Sequence, residues 1–252
     1  MKKLLTTLAF VTTLASTLSA DIARVEMGSG LWNATESGTL IYKDNVGTIT
    51  YTSDEKENSA AYAWLLIKHP IPVIPNIRLE YNTMADTGVI TGSVADYTAL
   101  SSSTASVDIT QYEVIPYYNL LDNTFWITLD VGVDFRFLTL DYTADGVNIV
   151  GGATNTSYSN TTSLVIPMGY ARTRIEIPTT EIGIEADVKI YNGSTVSDIR
   201  VKLDYTLDLG LPIDPGFEVG YRVQSYDIAY NDEKIKLKLD FSGVYAGLML
   251  RF

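Results

Sequence analysis

The residues of this chain that could do chemistry are charged side chains repeated at every second position. Asp198, Arg200 and Lys202 show the pattern, with apolar residues between them. A spacing of two places side chains on one face of a β-strand. Such a face could carry an acid/base pair of carboxylates, for which Asp130 and Asp134 are candidates, or a set of ion pairs. Because many cations share these faces, the sequence predicts ion pairs rather than catalysis.

Other residue types that support catalysis are scarce. The chain has one histidine, His69, which stands beside a proline turn, and it has no cysteine. Neither neighbour of His69 is a nucleophile, so no nucleophile and base pair can be built around it. No glycine-rich phosphate loop is present. The sequence therefore predicts that the protein is not an enzyme and uses no metal or cofactor.

The first 20 residues have the features of a secretory signal peptide. Lys2 and Lys3 precede an apolar run over residues 4–14, and small residues lead to a cleavage site after Ala20. The apolar run is shorter than the roughly 20 residues that a membrane-spanning helix needs. Without the two lysines the net charge changes from −12 to −14, which does not suit nucleic-acid binding. Residues 21–252 are predicted to form one domain.

That domain consists of short segments in which apolar and polar residues alternate. Ten such segments are joined by short turns, as at residues 70–75 and 178–181, and by long polar stretches at 43–59, 83–108 and 143–160, which we predict to be loops. Short turns at one end, long loops at the other and an even strand number are typical of outer-membrane barrels. The predicted fold is an all-β, closed antiparallel transmembrane β-barrel with extended extracellular strands. A soluble β-sandwich is the alternative.

The closing strand supports the barrel. Its predicted lipid-facing residues are Val244, Ala246, Leu248, Leu250 and Phe252. A terminal aromatic residue on such a strand, after a secretory start, resembles the C-terminal assembly signal of Gram-negative outer-membrane barrels. The resemblance implies the cell outer membrane as location, with outer-membrane lipid and the barrel assembly machinery as partners.

A second resemblance comes from short motifs in the first three strands. The motifs are His69-Pro70-Ile71-Pro72, Pro75-Asn76-Ile77-Arg78-Leu79-Glu80-Tyr81 and Trp32-Asn33. Together with the aromatic C-terminus they resemble a small family of uncharacterised Gram-negative outer-membrane β-barrel proteins. The resemblance implies fold and location, and it carries no activity or catalytic residue.

The inward faces of the predicted strands carry eleven basic and eleven acidic residues. The proposed ion-pair network comprises Arg78, Glu80, Asp130, Asp134, Arg136, Arg172, Arg174, Glu185, Asp187, Arg200, Lys202, Asp204, Glu218 and Arg222. The remaining inward charges are Arg24, Glu26, Lys68, Glu113, Glu176, Lys189, Asp198 and Arg251. Selective pores usually carry an excess of one sign, and ten strands enclose little more space than the eight that side chains can fill. We predict a plugged, charge-balanced lumen; a narrow channel is the alternative.

Nearer the extracellular end the inward positions become apolar while the outward positions become polar. The inward residues are Leu138, Leu140, Tyr142, Tyr226, Ile228, Tyr230, Ile235, Leu237, Leu239 and Phe241. This inversion is expected where strands continue past the bilayer into water. The apolar residues either pack on each other, which is the favoured interpretation, or line a pocket for an apolar small molecule.

A basic stripe lies at the start of the closing strand. Lys234, Lys236 and Lys238 share its outward face, just above the lipid-facing residues. They are predicted either to dock a lipopolysaccharide phosphate or to keep an exposed strand soluble. The predicted function is a structural or adhesive surface role. The alternative is a channel or transporter for small or hydrophobic solutes.

Overall fold

The structure is a computed structural model that describes residues 24–45, 47–71, 73–94, 97–149, 156–192, 195–210, 212–230 and 234–252. The predicted signal peptide lies outside these residues. No helix in the described part of the chain is long and apolar enough to cross a membrane. The strands are β1 (Arg24–Lys43), β2 (Thr48–Ser53), β3 (Glu57–Lys68), β4 (Asn76–Val94), β5 (Tyr97–Thr124), β6 (Ile127–Ile149), β7 (Thr156–Glu176), β8 (Ile182–Asn192), β9 (Thr195–Thr206), β10 (Asp214–Tyr230) and β11 (Ile235–Arg251).

The strands form one closed antiparallel ring. From β4 to β11 each strand pairs with the next, and β11 pairs with β1 to close the ring. The segments β2 and β3 both lie between β1 and β4, and so share one position. The ring therefore has ten positions, and the predicted ten-stranded barrel is confirmed. We call the end that carries connections 69–75, 125–126, 177–181 and 207–213 the turn end, and the opposite end the far end.

The alternation of side chains gives the ring an apolar outside and a charged inside. On β9, Ile199, Val201 and Leu203 are each about half exposed, whereas Lys202 and Asp204 are at most 2 % exposed. The outward apolar residues form a band around the half of the ring nearest the turn end. A strand with one apolar and one polar face must place them in different environments, and ring closure pairs the strand edges in the half nearest the turn end.

The strands are longer than the sequence predicts. The stretches 83–108 and 143–160, predicted to be loops, belong mainly to β4 and β5 and to β6 and β7, so that prediction is wrong. Outward positions there are polar because they lie beyond the apolar band, which makes the strands resemble loops. The inward phase nevertheless continues, since Met84, Asp86 and Ile90 are each 2 % exposed. At about 3.3 Å per residue, β6 extends well beyond an apolar band of about 25 Å.

In the described residues the far half of the wall is incomplete in two places: residues 156–168 of β7 extend past β8 without a partner on that side, and the pairing is interrupted between β2 and β3. Residues 54–56 leave the strand, and Glu55 adopts a left-handed φ of 57°. Strand β3 pairs with β4 as far as Tyr62 opposite Asn82, and β2 resumes the pairing with Ser53 opposite Gly88. Residues 83–87 of β4 therefore lack a regular ladder on this side. Three bonds bridge the gap: from Asp54 N to Thr87 O at 3.0 Å, from Thr87 Oγ1 to Asp54 Oδ2 at 2.9 Å, and from Asn58 Nδ2 to Ala85 O at 2.9 Å.

The seam between the first and last strands is continuous. The register runs without a shift from Glu26 opposite Arg251 to Tyr42 opposite Ile235. The backbone N–H of Phe252 donates to Val25 O at 2.9 Å and so extends the pairing by one residue. The five predicted assembly-signal residues alternate with inward residues on β11, and Val244 and Leu248 are more than half exposed.

Deletion of Phe252 should reduce the amount of folded protein at the cell surface and cause periplasmic degradation. The deletion removes the terminal aromatic ring and the last backbone bond to Val25. A Phe252→Tyr variant keeps both and is the matched control, which should reach wild-type levels. Surface labelling and immunoblotting of fractionated cells measure the effect. Normal surface levels of the deletion variant would contradict the assembly-signal hypothesis.

Candidate functional site

The lumen is occupied by the charged residues that the sequence places inside. All of the residues in the proposed ion-pair network are buried, with at most 6 % exposure. They project from β4 and from β6 to β10, because inward positions recur at every second residue of each strand. Their burial requires pairing, since an isolated ion inside a protein loses its hydration without compensation.

Several ion pairs cross the full width of the ring. Arg200 on β9 contacts Glu80 on β4 at 2.9 Å and its neighbour Asp187 at 2.8 Å. The strands β9 and β4 lie five positions apart in a ring of ten, which is diametrically opposite. Arg78 on β4 likewise reaches Glu185 on β8 at 3.3 Å. Opposite walls are thus connected through the centre of the lumen.

Toward the turn end the pairs are shorter in reach and more exposed. Arg174 binds Asp204 through two nitrogens at 2.6 and 2.9 Å, a bidentate geometry, and Arg251 contacts the same carboxylate at 2.8 Å. Gly183 provides room for this arginine, because a Cβ there would lie 2.1 Å from Arg174 Nη2. At the turn end two cations thus share one carboxylate, that of Asp204.

Aromatic residues fill the space between the ions. Tyr62 and Trp64 donate hydrogen bonds to Glu218 at 2.8 and 2.9 Å. Lys202 lies 4.6 Å from the centre of the Trp64 ring, in the range of a cation–π contact. Gly28 makes this position possible, since a Cβ would lie 2.5 Å from Trp64 Nε1. Charges and rings together fill the middle of the lumen.

The network ends on the far side at Tyr226. Its hydroxyl donates to Gln111 at 2.6 Å and accepts from Arg136 at 3.1 Å. Arg136 and Arg222 both bind Asp198, at 2.6 and 2.7 Å. Beyond this layer the inward residues are mainly apolar, so Tyr226 marks the end of the ion-pair network.

An apolar cavity of about 260 Å³ opens beyond Tyr226. Its lining residues are Leu40, Tyr42, Asp44, Ile49, Tyr97, Leu140, Tyr142, Ala144, Val147, Tyr158, Asn160, Thr162, Leu164, Ile228, Ile235 and Leu237. The inward apolar residues predicted for this part of the barrel fall into two groups, according to whether they line the cavity. Leu138 and Phe241 are 1 % exposed and are not part of the lining, whereas Leu140, Ile228 and Leu237 face the cavity. The favoured prediction that these residues pack on each other is confirmed, since they form one apolar cluster, and the upper members of that cluster also line the cavity.

A buried pair of carboxyl groups was missed by the sequence analysis. Glu36 on β1 and Asp86 on β4 are 1 % and 2 % exposed, and Tyr51 on β2 donates to Asp86 Oδ2 at 2.5 Å. The pair lies behind the interruption of the wall. The prediction of equal numbers of buried acids and bases omits these two acids and is wrong. Their inward phase follows from Trp32 and Met84, but only once both strands are extended past the predicted loop boundaries.

The environment of this acid pair favours a shared proton. Burial, followed by repulsion from Asp86, raises the pKa of Glu36 to about 9. Glu36 is thus protonated at neutral pH and can hydrogen-bond Asp86. Burial also raises the pKa of the Tyr51 hydroxyl well above its usual range. The ring of Tyr51 packs edge-on against Tyr142, a lining residue of the cavity, at 6.4 Å.

The remaining predicted residues lie apart from these sites. Lys234, Lys236 and Lys238 are exposed, and Lys238 stands opposite Asp227 of β10. Lipopolysaccharide docking by this stripe stays a prediction. His69 is held in its turn, with Nε2 3.1 Å from Pro75 O and Nδ1 accepting from Ile71 N. Across the described ranges no group of three or more His, Cys, Asp or Glu residues could hold a metal ion.

Comparisons with known proteins identify the fold. No protein-family model matches the chain, and no curated protein matches it in sequence. The crystal structure of the outer membrane protease OmpT from Escherichia coli matches with a TM-score of 0.50 and 9 % identity, covering 94 % of this chain and 99 % of that one. The transport unit of the autotransporter AIDA-I from Escherichia coli has a TM-score of 0.34 and 10 % identity over 96 % of both chains.

The fold is therefore that of outer-membrane β-barrels. A third match, the toluene transporter TodX from Pseudomonas putida, has a TM-score of 0.22 and 9 % identity, covering 95 % of this chain and 90 % of that one. At such identities the likeness concerns the fold alone. It neither confirms nor excludes an enzyme activity, so the prediction that the chain is not an enzyme stays a prediction.

Replacement of Arg200 by Met should destabilise the barrel by about 3–5 kcal/mol, because it leaves Glu80 and Asp187 buried with one partner fewer. Lys56→Met is the control, since Lys56 is 70 % exposed and its ion pair with Asp54 contributes about 1 kcal/mol at most. Urea unfolding in detergent micelles measures both. Equal losses in the two variants would mean that the lumen pairs are not structural.

Glu36 should make stability fall as the pH rises between about 4.5 and about 9. In this window Glu36 keeps a proton in the folded state that it has lost in the unfolded state. The free energy of unfolding therefore falls by at most about 1.4 kcal/mol per pH unit. Glu36→Gln removes the titration, so its advantage over wild type should grow across the window and then level off. Glu57→Gln, at an exposed position, is the control. Parallel curves for wild type and Glu36→Gln in urea titrations would contradict the buried acid pair.

Proposed function

We propose that the protein is an outer-membrane β-barrel with a closed lumen, whose far-end cavity binds a small apolar molecule. The observation that carries the proposal is the cavity itself, about 260 Å³ of mainly apolar surface directly above a filled ionic interior. Ligand sites are concave and mostly apolar, with few polar groups. Here the polar groups are hydroxyls, one amide and one carboxylate.

The outer surface supports a membrane location. Apolar side chains face outward around the ring near the turn end, where water would make such a band unfavourable. Outward aromatic residues stand at its two edges, with Tyr205 and Phe217 near the turn end and Tyr112 and Phe137 higher up. The rings of Tyr81 and Tyr112 contact each other at 5.0 Å. Aromatic residues at both edges are what a bilayer interface favours.

The filled interior supports a closed lumen. Ion pairs such as Arg200–Glu80 span its diameter, and Trp64 and Tyr226 occupy the space between the ionic layers. A solute path through this lattice would require breaking buried pairs, each of which is costly to separate. We therefore infer capture at the far end rather than passage, and the channel alternative has no observation in its favour. A structural or adhesive role stays a prediction.

The other partners predicted from the sequence, membrane lipid and the barrel assembly machinery, are compatible with a closed lumen. We infer that lipid surrounds the apolar band and that the barrel assembly machinery recognises the end of β11. The lysine stripe stands above that band, where it would meet anionic headgroups.

One experiment tests the cavity. Protein in lipid nanodiscs should bind labelled naphthalene saturably, with about one site per chain, when compared with empty nanodiscs in equilibrium dialysis. A Leu140→Trp variant should lose this binding because the larger side chain fills the cavity. Leu203→Trp makes the same change on the outward face and should bind like wild type. Equal uptake by all samples would reject the proposed site.

A conductance measurement tests the closed lumen separately. Wild-type protein in a planar bilayer should show no steady openings, because buried ion pairs such as Arg200–Glu80 cross the lumen. Reproducible, ion-selective openings would overturn the closed lumen and favour a channel.

A further inference from the structure

We infer that the far-end cavity selects apolar molecules that carry a cationic ammonium group, and that it discriminates against carboxylates. This inference rests on the proposed function and concerns the chemistry of the cavity mouth. Four of the lining residues are tyrosines: Tyr42, Tyr97 and Tyr158 lie near the far ends of their strands, and Tyr142 lies deeper among aliphatic residues. The cavity thus has an apolar interior and an aromatic mouth.

The tyrosines form one group around Tyr158. The rings of Tyr97 and Tyr158 lie 5.0 Å apart at an angle of 54°. Burial, together with the nearby hydroxyls of Tyr42 and Tyr97, raises the pKa of Tyr158. Burial raises the pKa of Tyr142 to about 12, and the nearby Tyr158 is the second, smaller cause. Tilted aromatic faces grouped in this way attract quaternary ammonium groups through their electron-rich surfaces.

The charges at the mouth point in the same direction. Asp44 is the single charged residue among the described lining residues, and its Oδ1 accepts a hydrogen bond from Gly47 N at 2.8 Å. No lysine, arginine or histidine occurs among them. The described basic residues next to lining residues in sequence, such as Lys43 and Lys234, are exposed and lie outside the lining. A carboxylate ligand would find no cationic partner in the lining, whereas an ammonium group would find an acid and aromatic faces.

The second acid group lies one layer away. Tyr142 of the lining packs on Tyr51, whose hydroxyl binds Asp86. Glu36 is buried beside it, so two acidic side chains lie beneath the aromatic group. Acidic groups favour a nearby cation over an anion, and low-dielectric surroundings screen this preference little.

The test uses three eight-carbon probes that differ only in the head group. Octyltrimethylammonium, octanol and octanoate compete with labelled naphthalene for the protein in nanodiscs, below their micellar concentrations. We expect octyltrimethylammonium to compete best and octanoate worst, with roughly tenfold between them from aromatic and carboxylate contacts. Octanol, which has the same chain and no charge, should lie between the two.

Two variants separate the contributions of charge and ring. Asp44→Asn should lower the advantage of octyltrimethylammonium over octanol, with both affinities normalised to the naphthalene affinity of the same variant. Asp145→Asn is the matched control, because Asp145 lies at the far end outside the lining and should alter nothing. Tyr158→Leu keeps an apolar mouth and should reduce the ammonium preference further.

The outcomes distinguish the two proposals. Naphthalene binding with equal competition by all three probes, or with octanoate the strongest, would overturn the head-group inference and leave the cavity in place. If naphthalene itself does not bind saturably, the proposed function fails. An ammonium preference that survives both Asp44→Asn and Tyr158→Leu would also overturn the inference, because the preference would then arise elsewhere.

Discussion

The width of a ten-position ring is the constraint on which the rest of this structure depends. At this width an arginine on one wall reaches a glutamate on the opposite wall, as Arg200 reaches Glu80. Every charge placed inside must then be balanced within a few ångströms, because little water is left to solvate it. The interior becomes a solid layer of ions and rings, and closing the ring closes the pore as well.

The layer of ions and rings ends part of the way along the barrel axis, and this divides the molecule into two halves of different character. Below Tyr226 the outside is apolar and the inside ionic, and above it the two faces exchange character. The alternation of the strands keeps its phase through this change, although β8 and β9 end at this height and the other strands alone continue into the far half. Because aliphatic side chains do not reach across the ring as arginine does, space remains between the walls at the far end, and the cavity occupies it.

Much of this could be predicted from the sequence, because alternation is a local signal. The faces of β9 and the charged lumen follow directly from spacing by two. The extended strands were missed since Thr and Ser on an outward face in water resemble a loop, and with them Glu36 and Asp86 were lost. The cavity could not be predicted, because the sequence gives the chemistry of Leu140 and Leu237 but not the distance between the walls that carry them. The tyrosine group likewise depends on loop-proximal residues that are brought together from β1, β5, β6 and β7.

The interruption between β2 and β3 has a consequence for motion. Local opening of a sheet is governed by the backbone hydrogen bonds that must break together. The seam between β1 and β11 is continuous, whereas residues 83–87 of β4 have three bridging bonds on one side, of which one joins two backbone groups. We expect amide exchange to be faster on this flank of the ring than where the chain ends meet. A molecule approaching sideways through such an opening would reach the shared proton of Glu36 and Asp86 before it reached the cavity.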